Sequence, residues 1–286
     1  MKNLLKRFEE ENATYSKSQR KIANYITENY DKAAFMTASK LASSIGTSES
    51  TVVRFAVTLG YDGYPEMQKH LQDVIRKKLT ATQRIELTTE KMRDDVLSAV
   101  LQKDAENIMS EISKIDRNEF NCAVECILSA KRIYIIGVRA SSSIAQFLGF
   151  YLNHIFPDVN IISTVSATDV FEHLIHISKE DVFIGVSFPR YSKRTINAMA
   201  FAHGRGAKVI AITDSETSPL CNESDYKLTV KSGMVSFVDS LVAPLSLVNA
   251  LIAAISMRRE KEVSETLSSL EMIWDEFGVY EKFDNE

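Results

Sequence analysis

Three cysteines, five prolines, ten glycines and one tryptophan among 286 residues remove several kinds of protein from consideration. So few cysteines, and an odd number of them, build no secreted disulfide framework, and the expected compartment is a reducing cytoplasm. A long uninterrupted apolar run is also missing. The longest, 241–257, is broken by Pro244, Ser246, Asn249 and Ser256 and reads as a buried helix, so no membrane partner is expected. The first eleven residues alternate acids with bases and hold no apolar signal core. Neither an internal repeat nor a low-complexity tract is visible.

What is present is the composition of a globular protein, 45% hydrophobic and 25% charged, at a length that suits two domains. The net charge of -4 hides an asymmetry. Residues 1–80 carry 13 basic and 9 acidic side chains, a surplus of four positive charges, whereas the remainder carries 21 and 29, a surplus of eight negative ones. An anion-seeking head on an acidic body is the simplest reading.

In the head, Ser16 and Gln19 fit a capping box ahead of a helix over 17–30, whose apolar face is Ile22, Tyr25, Ile26 and Tyr30. Thr37 or Ser39 caps a short second helix through Ser44, Gly46 breaks it, and Ser48 caps a third helix to Leu59. A turn at 61–65 leads into a helix reaching about Lys78. The segment 38–57 has the spacing of two packed helices joined by a tight turn, with Leu41, Ile45, Val52 and Phe55 as joint core and Ala42 permitting close approach. The outward face of the third helix carries Ser48, Glu49, Ser50, Thr51 and Arg54. In a major groove, short hydroxyls reach phosphates or base edges and arginine pairs bidentately with guanine. Lys40 and the basic run 76–78 add phosphate contacts. A small helical bundle with a solvated polar face has the same pattern.

Residues 79–95 are polar and read as the connector. Helices are expected at 96–115 and 119–130, after which short apolar runs at 131–137, 159–163, 181–187, 208–213 and 226–230 alternate with helices at 142–156, 168–178 and 192–205. That alternation predicts a mostly parallel sheet covered on both faces. Helices at 237–257 and 263–277 complete the domain.

Thr51-Val-Val-Arg-Phe55 followed by Leu59-Gly-Tyr-Asp-Gly-Tyr64 resembles the N-terminal domain of the RpiR family of bacterial regulators, over about 15–79. Residues 96–257 resemble the SIS (sugar isomerase) module that follows it in that family. The resemblance implies a two-domain chain: an all-α helix-turn-helix DNA-binding domain (1–79), a linker (80–95) and an α/β three-layer SIS domain with a flavodoxin-like parallel sheet and C-terminal helices (96–286). It also implies phosphate held by hydroxyls and helix N-termini at the carboxyl ends of the strands. Two loops match. Gly137, Arg139, Ser141 and Ser142 stand in the first, Ser141 falling on the family's phosphate-binding serine and Arg139 replacing its second glycine. In the second, Ser187 and Ser192 fall on hydroxyl positions and Thr195 follows; Pro189 stands where serine is usual and Arg190 where glycine is usual. Two arginines in place of two glycines suggest an effector more negative than a hexose monophosphate, such as an acidic sugar phosphate. The alternative pairs Arg139 and Arg190 with acidic residues of this domain or of a partner subunit.

Weaker signals are His173 and His176 at metal-ligand spacing without a third ligand, Cys122 and Cys126 one turn apart, and Asp239 and Ser240 ahead of the last apolar helix. No metal, cofactor or catalytic residue is expected. The competing reading is a sugar-phosphate isomerase with an accessory helical domain. Its only suggestive base set is Glu172, His173 and His176, and an isomerase has no use for a groove-reading head. The expectation is a homodimeric or homotetrameric regulator, its partners an inverted-repeat duplex operator and a small anionic sugar-phosphate-like effector.

Overall fold

Short polar side chains decide where the head helices start. In the computed structural model, which describes residue 8 and residues 14–76, 80–89, 95–163, 169–234 and 236–281, the capping box forms as expected. The Ser16 amide donates to Gln19 Oε1 at 2.9 Å and Ser16 Oγ accepts the Gln19 amide, opening α1 (Lys17–Glu28). Asn29 ends α1 two residues before the expected limit, and Tyr30 instead begins a single-turn α2 (Tyr30–Ala33). Thr37, rather than Ser39, caps α3 (Ala38–Ile45), Ser48 caps α4 (Glu49–Thr58), and α5 (Tyr64–Arg76) follows.

Leu41, Val52 and Phe55 are fully buried where α3 and α4 pack, while Ile45 is only half-buried. Burial of each such side chain is worth about 1.5–3 kcal/mol. Phe8 and Tyr15 extend this core, their rings 5.8 and 5.4 Å from that of Phe55. Tyr64, Gln68 and Gln72 tie α5 down by donating to the carbonyls of Met36 and Ala34.

The stretch read as the connector contains a helix. Thr80 and Gln83 form a second reciprocal cap, and with no glycine or proline to interrupt it α6 (Ala81–Thr89) follows. The chain divides into two compact units, Met1–Leu97 with Val235–Val238, and Ser98–Met234 with Asp239–Glu286.

The second unit contains most of α7 (Val96–Glu111), then α8 (Arg117–Leu128), which Asp116 caps by accepting the amides of Asn118 and Glu119. Five strands follow: β1 (Ile133–Gly137), β2 (Val159–Ile162), β3 (Val182–Val186), β4 (Lys208–Thr213) and β5 (Tyr226–Thr229). Between them lie α9 (Ser141–Leu152), α10 (Asp169–His173) and α11 (Lys193–Gly204). All four strand pairings are parallel, in the order β2-β1-β3-β4-β5.

Alternate residues serve opposite cores. Ile133, Ile135, Ile184, Ile210 and Leu228 pack against α8, α9 and α12 (Val242–Arg258), while Tyr134, Ile136, Phe183 and Val209 pack on the other face against α10 and α11. This is the doubly covered sheet that the near-continuous apolar strands require. Where the amino ends of β1 and β3 meet, Arg132 grips the fully buried Asp181 carboxylate with two bonds of 3.0 and 2.8 Å.

Two expected helices are shorter. The one predicted over 168–178 spans five residues, with residue 168 outside the described set. The one predicted from Phe237 starts at Val242, because Asp239 and Ser240 form β7 (Asp239–Ser240) and pair antiparallel with β6 (Gly233–Met234). The last helix is α13 (Glu260–Glu276). Among the described residues no single helix is long and apolar enough to cross a membrane.

Candidate functional site

In the head, the turn between α3 and α4 sets which residues face outward. Gly46 at φ 71° reverses the chain, and the Thr47 amide returns to the Ala42 carbonyl at 3.0 Å. Burial of Val52, Phe55 and Ala56 on one side of α4 turns Glu49, Ser50, Val53 and Arg54 to the other. Ser48 Oγ lies 2.9 Å from Ser50 Oγ and 2.8 Å from Thr51 Oγ1, so the three hydroxyls cluster at the start of α4. Arg54 is exposed and donates through Nε to the Ser50 carbonyl at 3.3 Å, which leaves its outer nitrogens for a ligand. Lys40 is exposed on α3 rather than on α4.

Two residues of this face escaped sequence reasoning: Val53 and Val57, 36% and 54% exposed, whose methyls suit contact with thymine methyls. The interruption of an otherwise polar face was the signal available. Of the basic run 76–78, Lys77 and Lys78 lie outside the described residues.

In the body, the strand order reverses direction between β1 and β3, and a crevice at the carboxyl ends of such strands is where open α/β sheets bind ligands. Gly137 and Val186 are register partners there, so the two loops marked from the sequence leave adjacent strand ends. Each loop runs into a 12-residue helix, α9 or α11, whose N-terminus offers amides and a partial positive charge. The first turn of α9 rests on Gly137: a Cβ there would lie 2.3 Å from the Ser141 carbonyl oxygen. No side chain caps α9, while the Ser142 hydroxyl donates to the Arg139 carbonyl at 2.6 Å and is half-exposed. Ser141 is buried.

The second loop is bonded more heavily to itself. Ser187 Oγ, nearly buried, accepts the Ser192 amide at 3.0 Å, and Ser192 Oγ caps α11 by accepting the Thr195 amide. Thr195 is fully buried and its hydroxyl has no partner among the described residues, an arrangement that costs about 1–3 kcal/mol. Sequence reasoning also missed the groups that pin this loop. Thr213 donates to the Ser187 carbonyl at 2.8 Å, and the Tyr191 phenol donates to Asp214 at 2.6 Å. Burial and the adjacent Asp214 carboxylate push the Tyr191 phenol far above its ordinary range, so it stays a donor.

Arg139 at φ 58° and Arg190 at φ 67° are the two non-glycine residues with left-handed backbone among the described residues. The conformation costs a side-chain-bearing residue about 1–2 kcal/mol. A recess of about 160 Å³ opens beside Arg139, walled by Gly137, Arg139, Ser142, Ser163 and Arg194 with Ile136, Val138 and Ile162. It brings together Gly137, Arg139 and Ser142 of the expected set, while Ser141, Ser187, Arg190, Ser192 and Thr195 are not in its wall. Arg194 was overlooked, although it stands within the loop that sequence reasoning had marked. A larger cavity of about 250 Å³ between α7, α8 and α12 is mainly apolar, with Ile108, Phe120 and Leu247 in its wall, and shares no wall residue with the recess.

The weaker signals gather no chemistry. Among the described residues no group of three histidine, cysteine or acidic side chains is placed to hold a metal. Burial, with Asp225 adding to it, pushes the Cys126 thiol up to about 11, so the reactive thiolate is scarce near neutral pH. Ser240 Oγ accepts the Val242 amide ahead of α12.

Residues 2–78 match the helix-turn-helix domain of the rpiR family and residues 126–254 match the SIS domain. An HTH-type transcriptional regulator of Haemophilus influenzae is 30% identical over 219 residues, covering 74% of each chain. One from Caldanaerobacter subterraneus is 27% identical over 281 residues, covering 94% of this chain and 96% of its own. The NanR protein of Vibrio vulnificus, solved in complex with ManNAc-6P, is 25% identical and superimposes with a TM-score of 0.59 over 96% of this chain and 99% of that one.

Proposed function

Because this chain belongs to the rpiR family of helix-turn-helix transcriptional regulators carrying a SIS domain, we propose that α4 reads a duplex operator while the loops after β1 and β3 sense a phosphorylated sugar. The observation that carries the sensing half is the meeting of two long-helix N-termini, α9 and α11, at adjacent strand ends with Ser187, Ser192 and Thr195 gathered at one of them. Phosphate is the small anion that such amides and hydroxyls suit. The complex of the related NanR with a sugar phosphate points to the same ligand class.

On the reading side, Ser48, Ser50 and Thr51 serve phosphates or base edges, Arg54 reads a guanine, and Glu49 and Lys40 flank them. Two heads of a homodimer or homotetramer meet an inverted repeat, and work on DNA places the protein in the cytoplasm. The effector changes operator affinity by favouring one placement of the heads, which requires different affinities for the two placements. Sensing is preferred to isomerisation because the described recess wall offers serine and arginine and holds no carboxylate or imidazole base for proton abstraction.

The test uses the full chain. Gel shifts on a fragment of its own upstream region at low salt should show retention, and sugar phosphates should change the midpoint. NMR of the same sugar phosphates should show no interconversion. Indifference to every duplex, or turnover at enzymatic rates, overturns the proposal.

A further inference from the structure

We propose that the effector carries a second anionic group besides its phosphate, gripped by Arg139 and Arg190, so that the sensed class is a phosphorylated sugar acid or sugar bisphosphate rather than a neutral sugar monophosphate. This rests on the reading of the site given under Proposed function.

Three observations carry it. Arg139 and Arg190 hold the two non-glycine left-handed positions among the described residues, one in each anion loop, where glycine would be relaxed. Their guanidinium groups are also the exception among the described arginine side chains in making no hydrogen bond, ion pair or ring contact. Arg20, Arg54 and Arg117 donate to carbonyls, Arg132 and Arg258 pair with carboxylates, and Arg205 and Arg259 lie over aromatic rings, while Arg84 and Arg194 are also engaged. Pairing with an acidic residue among the described ones therefore does not explain them.

Finally, Arg139 walls the recess beside Ser142 and Ser163, and its loop and that of Arg190 start from the register pair Gly137 and Val186. The helix N-termini and hydroxyls already suit one phosphate. A planar fork of donors adds a two-bond grip on a further carboxylate or phosphate. Strain persists at a site when function requires it.

Isothermal titration of the full chain with glucose 6-phosphate, 6-phosphogluconate, glucose 1,6-bisphosphate and inorganic phosphate separates the possibilities. At least one of the two doubly anionic compounds should bind tenfold or more tightly than glucose 6-phosphate, and which one does so tells carboxylate from phosphate. R139G or R190G should shrink that preference to within about twofold while leaving the melting temperature unchanged or raised by roughly 2–4 °C, because left-handed strain is relieved.

Equal binding of all three sugars overturns the inference, as does a preference that survives both substitutions. A melting temperature that falls in both variants also overturns it, since the guanidinium groups would then be structural. Failure of every phosphorylated compound, inorganic phosphate included, removes the phosphate site itself, and is distinguished from the other failures by the absence of any binding heat.

Discussion

Gly46 and Gly60 in the head share a left-handed backbone with Arg139 and Arg190 in the body, and the residues at these four corners differ in kind. At the head turns only geometry is at stake, and glycine meets it without a Cβ penalty. Gly206 and Gly278, in the body outside the loops after β1 and β3, follow the same habit. Among the described residues, only the two loops at the strand ends place a long cation where glycine is relaxed. The contrast separates residues kept for folding from residues kept in spite of it, and each prediction below presses on that separation.

Arg132 is the strongest control, an arginine whose duty is structural. Its partner Asp181 is fully buried and also accepts from the Ser178 amide and hydroxyl at 2.7 and 2.9 Å. R132A should therefore cost about 3 kcal/mol in urea unfolding, because it strands a buried carboxylate. Burial pushes Asp181 up, yet the bonds from Arg132 and Ser178 outweigh it and hold the carboxyl below its ordinary 3.8. Its contribution is thus fully present above that ordinary value and is lost as pH falls through the lower folded one. R132A should flatten the acid limb of the stability curve, whereas R139G should leave that limb untouched.

Arg54 presents the other role, a cation held ready by its own helix. R54A should weaken operator binding by about 2 kcal/mol and relax preference at one base pair, with little change in folding stability. Fluorescence anisotropy against single-base operator variants decides it, and a uniform loss across all variants would make Arg54 a phosphate contact instead. The head was legible in advance because caps and turns are local: Ser16, Ser48 and Gly46 each act within four residues. Its differences from expectation were local as well: Asn29 cut the first helix short, and the Thr80 and Gln83 cap starts a helix within the connector.

G46R should destabilise the head by about 1–2 kcal/mol, the mirror image of the relief expected for R139G. Equal and opposite shifts in urea midpoints would establish that the two corners differ only in what the side chain does. In the body, the strand alternation exposed the parallel sheet, and the departures from the family loops marked Arg139 and Arg190. What stayed hidden needed partners far along the chain. Tyr191 meets Asp214 across 23 residues and Thr213 meets the Ser187 carbonyl across 26, and no local pattern encodes either. Arg194 reaches the recess through the placement of α11, which periodicity alone does not orient.

Thr195 carries the comparison from backbone to side chain. Its hydroxyl is fully buried without a partner among the described residues, in the first turn of α11. An isosteric apolar group would remove that unmet polar atom, so T195V should stabilise the ligand-free protein by about 1 kcal/mol. A hydroxyl kept at a cost for ligand contact predicts the opposite effect on binding: phosphate and sugar-phosphate affinity should fall about tenfold, or about 1.4 kcal/mol. Thermal unfolding and calorimetric titration of the same preparation measure both. If T195V is less stable and binds unchanged, the hydroxyl belongs to folding, and the cost borne at the two arginines cannot be extended to α11, the helix that follows Arg190.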